Sequence, residues 1–139
     1  MMPVPFFANT VEDREVLLSQ RGVSEVFSMA AGSTVKLVGI GTVEPAAQLV
    51  EAGLIAVQEI NDISAAGAIG EMLGHFFDAR GQRITNSLTA RTLAVTLDAR
   101  RRENIVALVG GTVKAVLASG LLSGLITDEQ TARPLLAEA

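Results

Sequence analysis

Residues 105–120, IVALVGGTVKAVLASG, join an apolar segment to two glycines and then to a threonine and a lysine. An apolar run without polar alternation is typical of a strand that is covered on both faces in a parallel sheet. The residues after Gly111 have the composition of a helix, so the segment predicts a strand, a tight turn and a helix. In open α/β sheets, ligands bind beyond the carboxyl ends of such strands, where helix N-termini present free backbone N–H groups.

The rest of the chain alternates strand-like and helix-like segments in the same way, which predicts an α/β doubly wound architecture in a single domain of 139 residues. The predicted strands cover 35–40, 69–77, 92–97 and 104–110, with a shorter candidate at 124–128. The predicted helices cover 11–20, 45–50, 56–67, 112–120 and 128–139, and a further helical pattern covers 22–32.

The pair formed by 11–20 and 22–32 imitates a helix-turn-helix, because two short helices flank the break at Arg21 and Gly22. Thr10 is the expected N-cap of the first helix, with Asp13 at the capping-box position. The second helix carries Glu25 and neither Lys nor Arg beyond that break, so it has nothing with which to contact phosphates or base edges. The net charge of −4 likewise argues against DNA binding by this chain itself.

Cysteine and histidine, which ligate zinc and, in the case of cysteine, form disulfides, are nearly missing from the sequence. There is no cysteine and only one histidine, His75, so neither a metal site nor thiol chemistry is expected, and no cofactor is predicted. Gly, Pro or charge interrupts each apolar run well before the roughly 20 residues of a membrane-spanning helix. The N-terminal MMPVPFFANT lacks the basic and apolar regions of a signal peptide, so we expect a soluble, cytoplasmic chain that enters in the middle of a domain.

The turn at Gly110 and Gly111 is a candidate anion site. Gly111 lets a phosphate approach the backbone, Thr112 can cap the helix or donate its hydroxyl, and Lys114 adds a positive charge in the first turn. The motif GG-x-x-K is not a Walker sequence, in which Gly, Lys and Ser or Thr are contiguous. A plain tight turn followed by a surface lysine remains the alternative.

A second glycine loop, Gly39-Ile40-Gly41, also ends a buried strand ahead of a helix, and the two loops are predicted to flank one pocket. Glu44 stands where a dinucleotide-binding loop has its third glycine, which argues against a dinucleotide. Farther along, Glu71 begins a strand-like segment and could accept hydrogen bonds from sugar hydroxyls. An exposed carboxylate at the edge of a sheet is the alternative for Glu71.

Four segments carry a resemblance to a known family, in their order and spacing. They are LVGIG (37–41), AAGAIGEMLGHFFDARG (65–81), ALVGGTVKA (107–115) and GLITDEQTARPLL (124–136). Together they resemble the effector-binding domain of SorC/DeoR-type bacterial sugar-responsive transcriptional regulators, and the entry PVPFFANTVEDREVLLSQ is similar as well.

The resemblance implies an open, Rossmann-like three-layer fold of the glucosamine-6-phosphate deaminase, ribose-5-phosphate isomerase and coenzyme A transferase type. It implies that residues 1–139 are the C-terminal part of a domain that senses a phosphorylated sugar in a homo-oligomer. DNA would be bound only through a helix-turn-helix domain that this chain lacks. The phosphate-binding G-x-x-K pattern of the family falls on residues 111–114, and its acidic position falls on Glu71. With the two glycine loops, the predicted ligand-binding residues are Gly39, Gly41, Glu71, Gly110, Gly111, Thr112 and Lys114.

Enzymatic chemistry is not expected. Where the related deaminases have an Asp-Gly-His segment for proton transfer, this chain has Thr42-Val43-Glu44, and His75 is expected in a strand, facing solvent or an interface. Two alternatives to a sensing module remain open. One is an isomerase-like or deaminase-like enzyme with Glu44 or Glu71 as general base, and the other is a structural oligomerisation fragment.

Overall fold

The computed structural model of this chain describes residues 4–45, 47–98, 103–111 and 113–137. These residues form helices and strands in the following order: α1 (Val11–Ser19), α2 (Arg21–Ala31), β1 (Lys36–Gly39), α3 (Gln48–Glu51), α4 (Val57–Ala65), β2 (Gly70–Met72), β3 (His75–Phe77), α5 (Ser87–Ala90), β4 (Ile105–Val109), α6 (Lys114–Ala118), β5 (Gly124–Thr127) and α7 (Glu129–Ala137). The chain is therefore mixed α/β, as the alternation of patterns predicted.

The main sheet is parallel and has the order β1-β4-β5. Its register pairs Lys36 with Ile105 and Leu108 with Ile126, so the carboxyl ends of β1 and β4 lie side by side. The strands predicted at 35–40, 104–110 and 124–128 are confirmed. The helices predicted at 45–50, 56–67, 112–120 and 128–139 are confirmed as α3, α4, α6 and α7, although Ala46, Thr112, Glu138 and Ala139 lie outside the described residues.

The single strand predicted over 69–77 is wrong, because this segment folds as a hairpin. β2 and β3 pair antiparallel, with Glu71 opposite Phe76. The turn between them is made by Leu73 and Gly74, whose φ angles are 54° and 76°. Two consecutive positive φ angles give the backbone twist of a two-residue hairpin turn. The glycine inside the apolar run was the available signal for this break.

The strand predicted over 92–97 is also wrong. Apart from a bridge between Thr92 and Phe7, these residues have no strand partner in the part of the chain that the structure describes. The segment is anchored instead by side chains, since the Arg83 guanidinium donates to the carbonyl of Leu97, and Leu93 and Leu97 are buried. Its apolar residues fill the core without joining a sheet.

Two apolar cores support the site described below. The first underlies α4 and contains Phe7, Val43, Ala47, Ile55, Ile60, Ile63, Ala68, Phe76 and Leu88. The second lies between the parallel sheet, the hairpin and α6, and contains Val38, Met72, Phe77, Leu97, Ile105, Ala107, Ala115, Val116 and Leu121. The β2-β3 hairpin contributes to both cores, so its position fixes one core relative to the other.

Only one face of the parallel sheet is covered by the described residues. Val38, Ile105 and Ala107 are buried on the covered face. On the other face Leu37, Leu108 and Ile126 are 67%, 47% and 57% exposed. The expectation of strands covered on both faces is therefore wrong for this part of the chain.

The predicted pair of N-terminal helices is confirmed as α1 and α2. Thr10 is the N-cap of α1, because its hydroxyl accepts from the Asp13 N–H at 3.0 Å. Neither helix contributes a buried residue, which agrees with the interpretation of two surface helices. α5 was not predicted, although Asn86 caps it by accepting from the Thr89 N–H at 3.0 Å. Among the described helices, none has both the length and the apolar character needed to cross a membrane.

Gly81 is expected to be the glycine of this fold that is most sensitive to substitution. Its φ is 75°, and a Cβ there would overlap the backbone of Ala118 and Ser119 at the end of α6. Left-handed strain and this overlap together should lower the free energy of unfolding of Gly81→Ala by about 2–4 kcal/mol. Urea denaturation of the purified variant measures the change.

Gly53→Ala is the matched control. Gly53 has a similar φ of 67°, but nothing lies within 4 Å of the added Cβ, so only backbone strain remains. We expect a loss of about 1 kcal/mol there. Equal losses at the two positions would contradict the close approach of the 78–82 loop to α6.

Candidate functional site

A cavity of about 260 Å³ opens at the carboxyl end of β1. It is lined by Phe6, Gly39, Ile40, Gly41, Thr42, Ala47, Gln48, Leu49, Ala52, Leu54, Glu71 and Leu73. Three of the predicted ligand-binding residues, Gly39, Gly41 and Glu71, therefore lie in one cavity. Its position beyond the end of a parallel strand is where open α/β sheets bind ligands.

Backbone hydrogen bonds between Gly41 and Glu71 bring the glycine loop and the hairpin together. The Gly41 N–H donates to the Glu71 carbonyl at 2.8 Å, and the Glu71 N–H donates to the Gly41 carbonyl at 2.9 Å. This single antiparallel bridge joins the end of β1 to the start of the hairpin. It holds the Glu71 side chain at the cavity wall.

Gly41 leaves room for the Glu71 carboxylate. A Cβ at position 41 would stand 2.7 Å from Oε2 of Glu71. Any larger residue would therefore displace the carboxylate or open the bridge. The sequence indicated a glycine loop here, but the neighbour that requires Gly41 is a carboxylate of the protein itself.

Glu71 is buried, with 9% of its surface exposed, so the alternative of an exposed edge carboxylate does not fit. Its Oε1 accepts from the Gly74 N–H at 2.5 Å. Burial raises the pKa of Glu71 to about 7, while the bond from Gly74 acts in the opposite direction. Near neutral pH the group therefore exists both as a carboxylate and as an acid, and can accept from or donate to a ligand hydroxyl.

The other predicted loop lines a second cavity of about 590 Å³, at the carboxyl end of β4. Its walls are Gly110, Gly111, Val113, Lys114, Asp128, Gln130, Thr131, Pro134 and Leu135. Gly111 has a φ of 98°, which explains the glycine there, and Lys114 is exposed at the start of α6. Thr112 lies outside the described residues.

Thr131 and Asp128 at the start of α7 form a network with this loop that the sequence reasoning missed. The Gly111 N–H donates to Oγ1 of Thr131 at 2.7 Å, and that hydroxyl donates to Oδ2 of Asp128 at 3.1 Å. Oδ1 of Asp128 also accepts from the Thr131 N–H at 2.8 Å, which is an N-cap contact. The signal for it was Asp128 at the N-cap position of the predicted helix, three residues before Thr131.

The network changes the electrostatics of the predicted anion site. A Cβ on Gly110 would stand 2.8 Å from Oδ2 of Asp128, so the carboxylate lies directly against the loop. The hydrogen bonds from Thr131 are the largest cause that lowers the pKa of Asp128, which keeps the carboxylate ionised at neutral pH. A phosphate would meet Lys114 as an attractive charge and Asp128 as a repulsive one.

The predicted single pocket is not what the described residues form. β1 and β4 are neighbours, so both loops lie at the same edge of the sheet, but they line two cavities. Gly39, Gly41 and Glu71 share one of them. Gly110, Gly111 and Lys114 line the other, together with Asp128 and with Thr131 of α7.

The remaining candidates do not form a catalytic group. His75 lies in β3 as predicted, but it is half-buried, with Nε2 3.4 Å from the Val95 carbonyl rather than facing solvent. Burial, and secondly the nearby Arg83 charge, lower the pKa of His75. Glu44 is exposed and does not line either cavity. Within the described ranges, no three His, Asp or Glu side chains come together as a metal site.

Comparison with known proteins identifies the family to which this chain belongs. The family model Sugar-bind, for a sugar-binding domain, matches residues 1–137. The chain belongs to this family. The erythritol catabolism regulatory protein EryD of Brucella abortus (strain 2308) is 53% identical over 143 residues, which cover 99% of this chain and 45% of that protein. The family resemblance inferred from the four sequence segments is confirmed.

Solved structures agree with the Sugar-bind assignment. A DeoR family transcriptional regulator from Listeria monocytogenes has a TM-score of 0.83 at 19% identity, covering 95% of this chain and 56% of that one. The full-length sorbitol operon regulator SorC from Klebsiella pneumoniae has a TM-score of 0.79 at 20% identity, covering 95% and 44%. At such identities these structures establish the fold. This Sugar-bind chain thus spans about half the length of the relatives it matches.

The burial of Glu71 predicts a specific pH dependence of stability. The folded domain holds the Glu71 proton up to about pH 7, whereas the unfolded chain releases it near 4.5. The folded state binds more protons in that interval, so the free energy of unfolding should fall as pH rises from 4.5 to 7, by about 3 kcal/mol from this group.

Glu71→Gln should remove this part of the pH dependence, because the amide does not ionise and its oxygen can still accept from Gly74. We therefore expect the variant to be more stable than the native domain at pH 8 and similar to it at pH 4.5. Urea denaturation of both proteins across this range gives the difference. Parallel pH profiles would show that Glu71 is not buried as described.

Proposed function

We propose that this chain is the C-terminal part of the effector-binding domain of a cytoplasmic, SorC/DeoR-type transcriptional regulator, and that it binds a phosphorylated sugar or sugar alcohol. The observation that carries the proposal is the match of the sugar-binding family model to residues 1–137. The cavity at the carboxyl end of β1 supports the proposal, because open α/β sheets bind ligands in this position. The finer fold we propose is the three-layer, Rossmann-like fold of the sugar-phosphate deaminases and isomerases.

The polyol part of the ligand is assigned to the cavity that contains Gly39, Gly41 and Glu71. A buried carboxyl with one oxygen held by Gly74 has a second oxygen at the Gly41 side, where it can pair with a hydroxyl. Such a pair discriminates strongly, because a ligand that lacks the hydroxyl leaves a buried polar group without its partner. Glu71 is therefore the proposed reader of hydroxyl position.

The phosphate is assigned to the loop of Gly110, Gly111, Thr112 and Lys114. Lys114 supplies a positive charge, and Gly111 keeps Cβ atoms away from the approaching anion. A phosphate that takes the Gly111 N–H must displace it from the Thr131 hydroxyl. Binding there would therefore loosen the contact between this loop and the start of α7, which gives the ligand a way to change packing as well as occupancy.

The role of the relative EryD narrows the range of candidate effectors. EryD is a regulator of erythritol catabolism and is 53% identical to this chain. We therefore place a four-carbon polyol, or its phosphate, first among the candidate effectors. In the complete regulator we propose a homo-oligomer that contacts DNA through a separate helix-turn-helix domain and responds to the effector by a change in subunit packing.

An enzymatic function has less support than sensing. The relatives are regulators, and of the two carboxylates considered as a general base, Glu44 is exposed outside both cavities. Glu71 alone would have to perform the proton transfer. An assay for turnover of sugar phosphates separates the two proposals, since a sensor binds its effector and releases it unchanged.

Thermal denaturation with matched ligands tests the proposed site. We expect erythritol phosphate or a related polyol phosphate to stabilise the regulator, by about 2.7 kcal/mol at 100 times its Kd. Lys114→Ala should lower the affinity for the phosphorylated ligand by about 10- to 150-fold, because one charge-assisted hydrogen bond is lost. The affinity for the unphosphorylated polyol should not change.

Two further variants sharpen this experiment. Asp128→Asn keeps an N-cap but removes the negative charge beside Gly110, so it should raise the affinity for the phosphorylated ligand. Arg21→Ala removes an exposed cation on α2 that lines neither cavity, and should leave the affinity unchanged. Equal affinity of native protein and Lys114→Ala for the phosphorylated ligand would remove this loop from the site. If no polyol phosphate shifts the thermal transition, the proposal that the domain senses such a ligand is contradicted.

A further inference from the structure

Phe6 differs in its surroundings from the aromatic residues of the two cores. Phe7, Phe76 and Phe77 are buried, and the rings of Phe7 and Phe76 stack with their centroids 6.4 Å apart. Phe6 is 40% exposed and lines the cavity at the carboxyl end of β1. A single exposed apolar side chain on an open surface needs no explanation. This ring, however, forms part of the wall of the candidate effector cavity.

Backbone hydrogen bonds on both sides of Phe7 hold Phe6 at the cavity. The Phe6 carbonyl accepts from the Leu93 N–H at 2.6 Å, and the Ala8 N–H donates to the Arg91 carbonyl at 2.9 Å. Phe7, between these two contacts, belongs to the first core. The backbone that carries the Phe6 ring is therefore fixed before a ligand arrives, so contact with the ring costs a ligand little conformational entropy.

The walls of this cavity combine one buried carboxyl with mostly apolar side chains. Among the described residues that line it, Glu71 is the one ionisable residue and Phe6 the one aromatic residue. Thr42 and Gln48 are the other polar side chains. The remaining side chains are aliphatic: Ile40, Ala47, Leu49, Ala52, Leu54 and Leu73. A ligand that matches these walls has hydroxyl groups on part of its surface and carbon-bound hydrogens on the rest.

We infer that Phe6 is a specificity-determining residue of the effector site, whose ring stacks on the C–H face of a polyol while Glu71 pairs with a hydroxyl. The inference rests on the proposed function. The face of an aromatic ring carries negative partial charge. Hydrogens on carbon atoms that bear hydroxyl groups carry positive partial charge, so the polyol is attracted to the ring electrostatically as well as through its apolar surface.

Stacking on Phe6 would allow the site to discriminate against free phosphate. The loop of Gly110, Gly111 and Lys114 offers contacts that any phosphate can make. Inorganic phosphate has no carbon skeleton and gains nothing from Phe6, whereas a polyol phosphate gains from the ring and from the Glu71 carboxyl. The ring therefore acts on the selectivity between two ligands that share the same phosphate contacts.

The affinities of three variants for erythritol phosphate and for inorganic phosphate test this inference. Phe6→Leu keeps apolar bulk but removes the ring face, so the affinity for erythritol phosphate should fall by about 2- to 10-fold. Phe6→Ala removes both, and we expect a fall of about 10- to 100-fold. Phe6→Tyr keeps the ring and should bind within about twofold of the native chain. Inorganic phosphate should bind all four proteins equally in isothermal titration calorimetry.

A tryptophan at the same position reports contact with the ligand directly, because the chain contains no tryptophan and no tyrosine. In Phe6→Trp, erythritol phosphate should shift the fluorescence emission to shorter wavelength and protect the indole from acrylamide quenching, since the ligand replaces water at the ring. Met29→Trp is the matched control. Met29 is 75% exposed on α2 and lines neither cavity, so its emission should not change.

Failure of this inference can be distinguished from failure of the proposed function. If native chain and Phe6→Leu bind erythritol phosphate equally, and the emission of Phe6→Trp is unchanged at saturation, the ligand does not touch the ring and the inference is wrong, while the proposed function stands. If erythritol phosphate binds none of the proteins, the proposed function fails and the inference fails with it. Should Phe6→Leu denature at a lower temperature without ligand, Phe6→Tyr and Phe6→Trp decide.

Discussion

The backbone bridge between Gly41 and Glu71 is the contact on which the rest of the arrangement depends. It joins the end of β1 to the β2-β3 hairpin by two hydrogen bonds, of 2.8 and 2.9 Å. The hairpin in turn contributes Phe76 to one core and Met72 and Phe77 to the other. A ligand bound in the proposed cavity would therefore act at the junction of both cores. At this junction, binding could change how the two cores pack against each other.

A second contact, between Thr131 and Gly111, ties the start of α7 to the loop after β4. In this contact the Gly111 N–H, which could otherwise donate to an anion, donates to the Thr131 hydroxyl. The Asp128 carboxylate lies against Gly110. In the proposed phosphate site, either the Thr131 hydroxyl or the ligand would pair with the Gly111 N–H. The attraction of Lys114 and the repulsion of Asp128 would then set the balance between these two states.

The elements with strong periodicity could be predicted from the sequence, and those fixed by tertiary contacts could not. The parallel strands at 35–40 and 104–110 follow from nearly continuous apolar runs that end beside glycines. The hairpin within 69–77 depends on two positive φ angles, at Leu73 and Gly74, and only the glycine signals this. Residues 92–97 have strand composition, yet they are held by the Arg83 side chain and by burial rather than by strand pairing.

Of the candidate site, the local patterns could be predicted from the sequence, and the features that depend on tertiary contacts could not. Both glycine loops were found because strand ends and glycines are local patterns, whereas the separation of their cavities depends on how α7 seats against Gly111. The burial of Glu71, which decides its charge near neutral pH, could not be obtained from its neighbours in sequence. It follows from the hairpin folding back onto the end of β1, a contact between residues 30 positions apart.

We propose that the effector binds at the carboxyl edge of the parallel sheet, in contact with both loops. An amide chemical-shift titration of the 15N-labelled domain with a polyol phosphate tests it most directly. We expect the largest shifts at Gly39, Gly41, Glu71, Gly111 and Lys114, with a smaller response at Thr131. Shifts confined to residues outside both cavities, with none at either glycine loop, would contradict it.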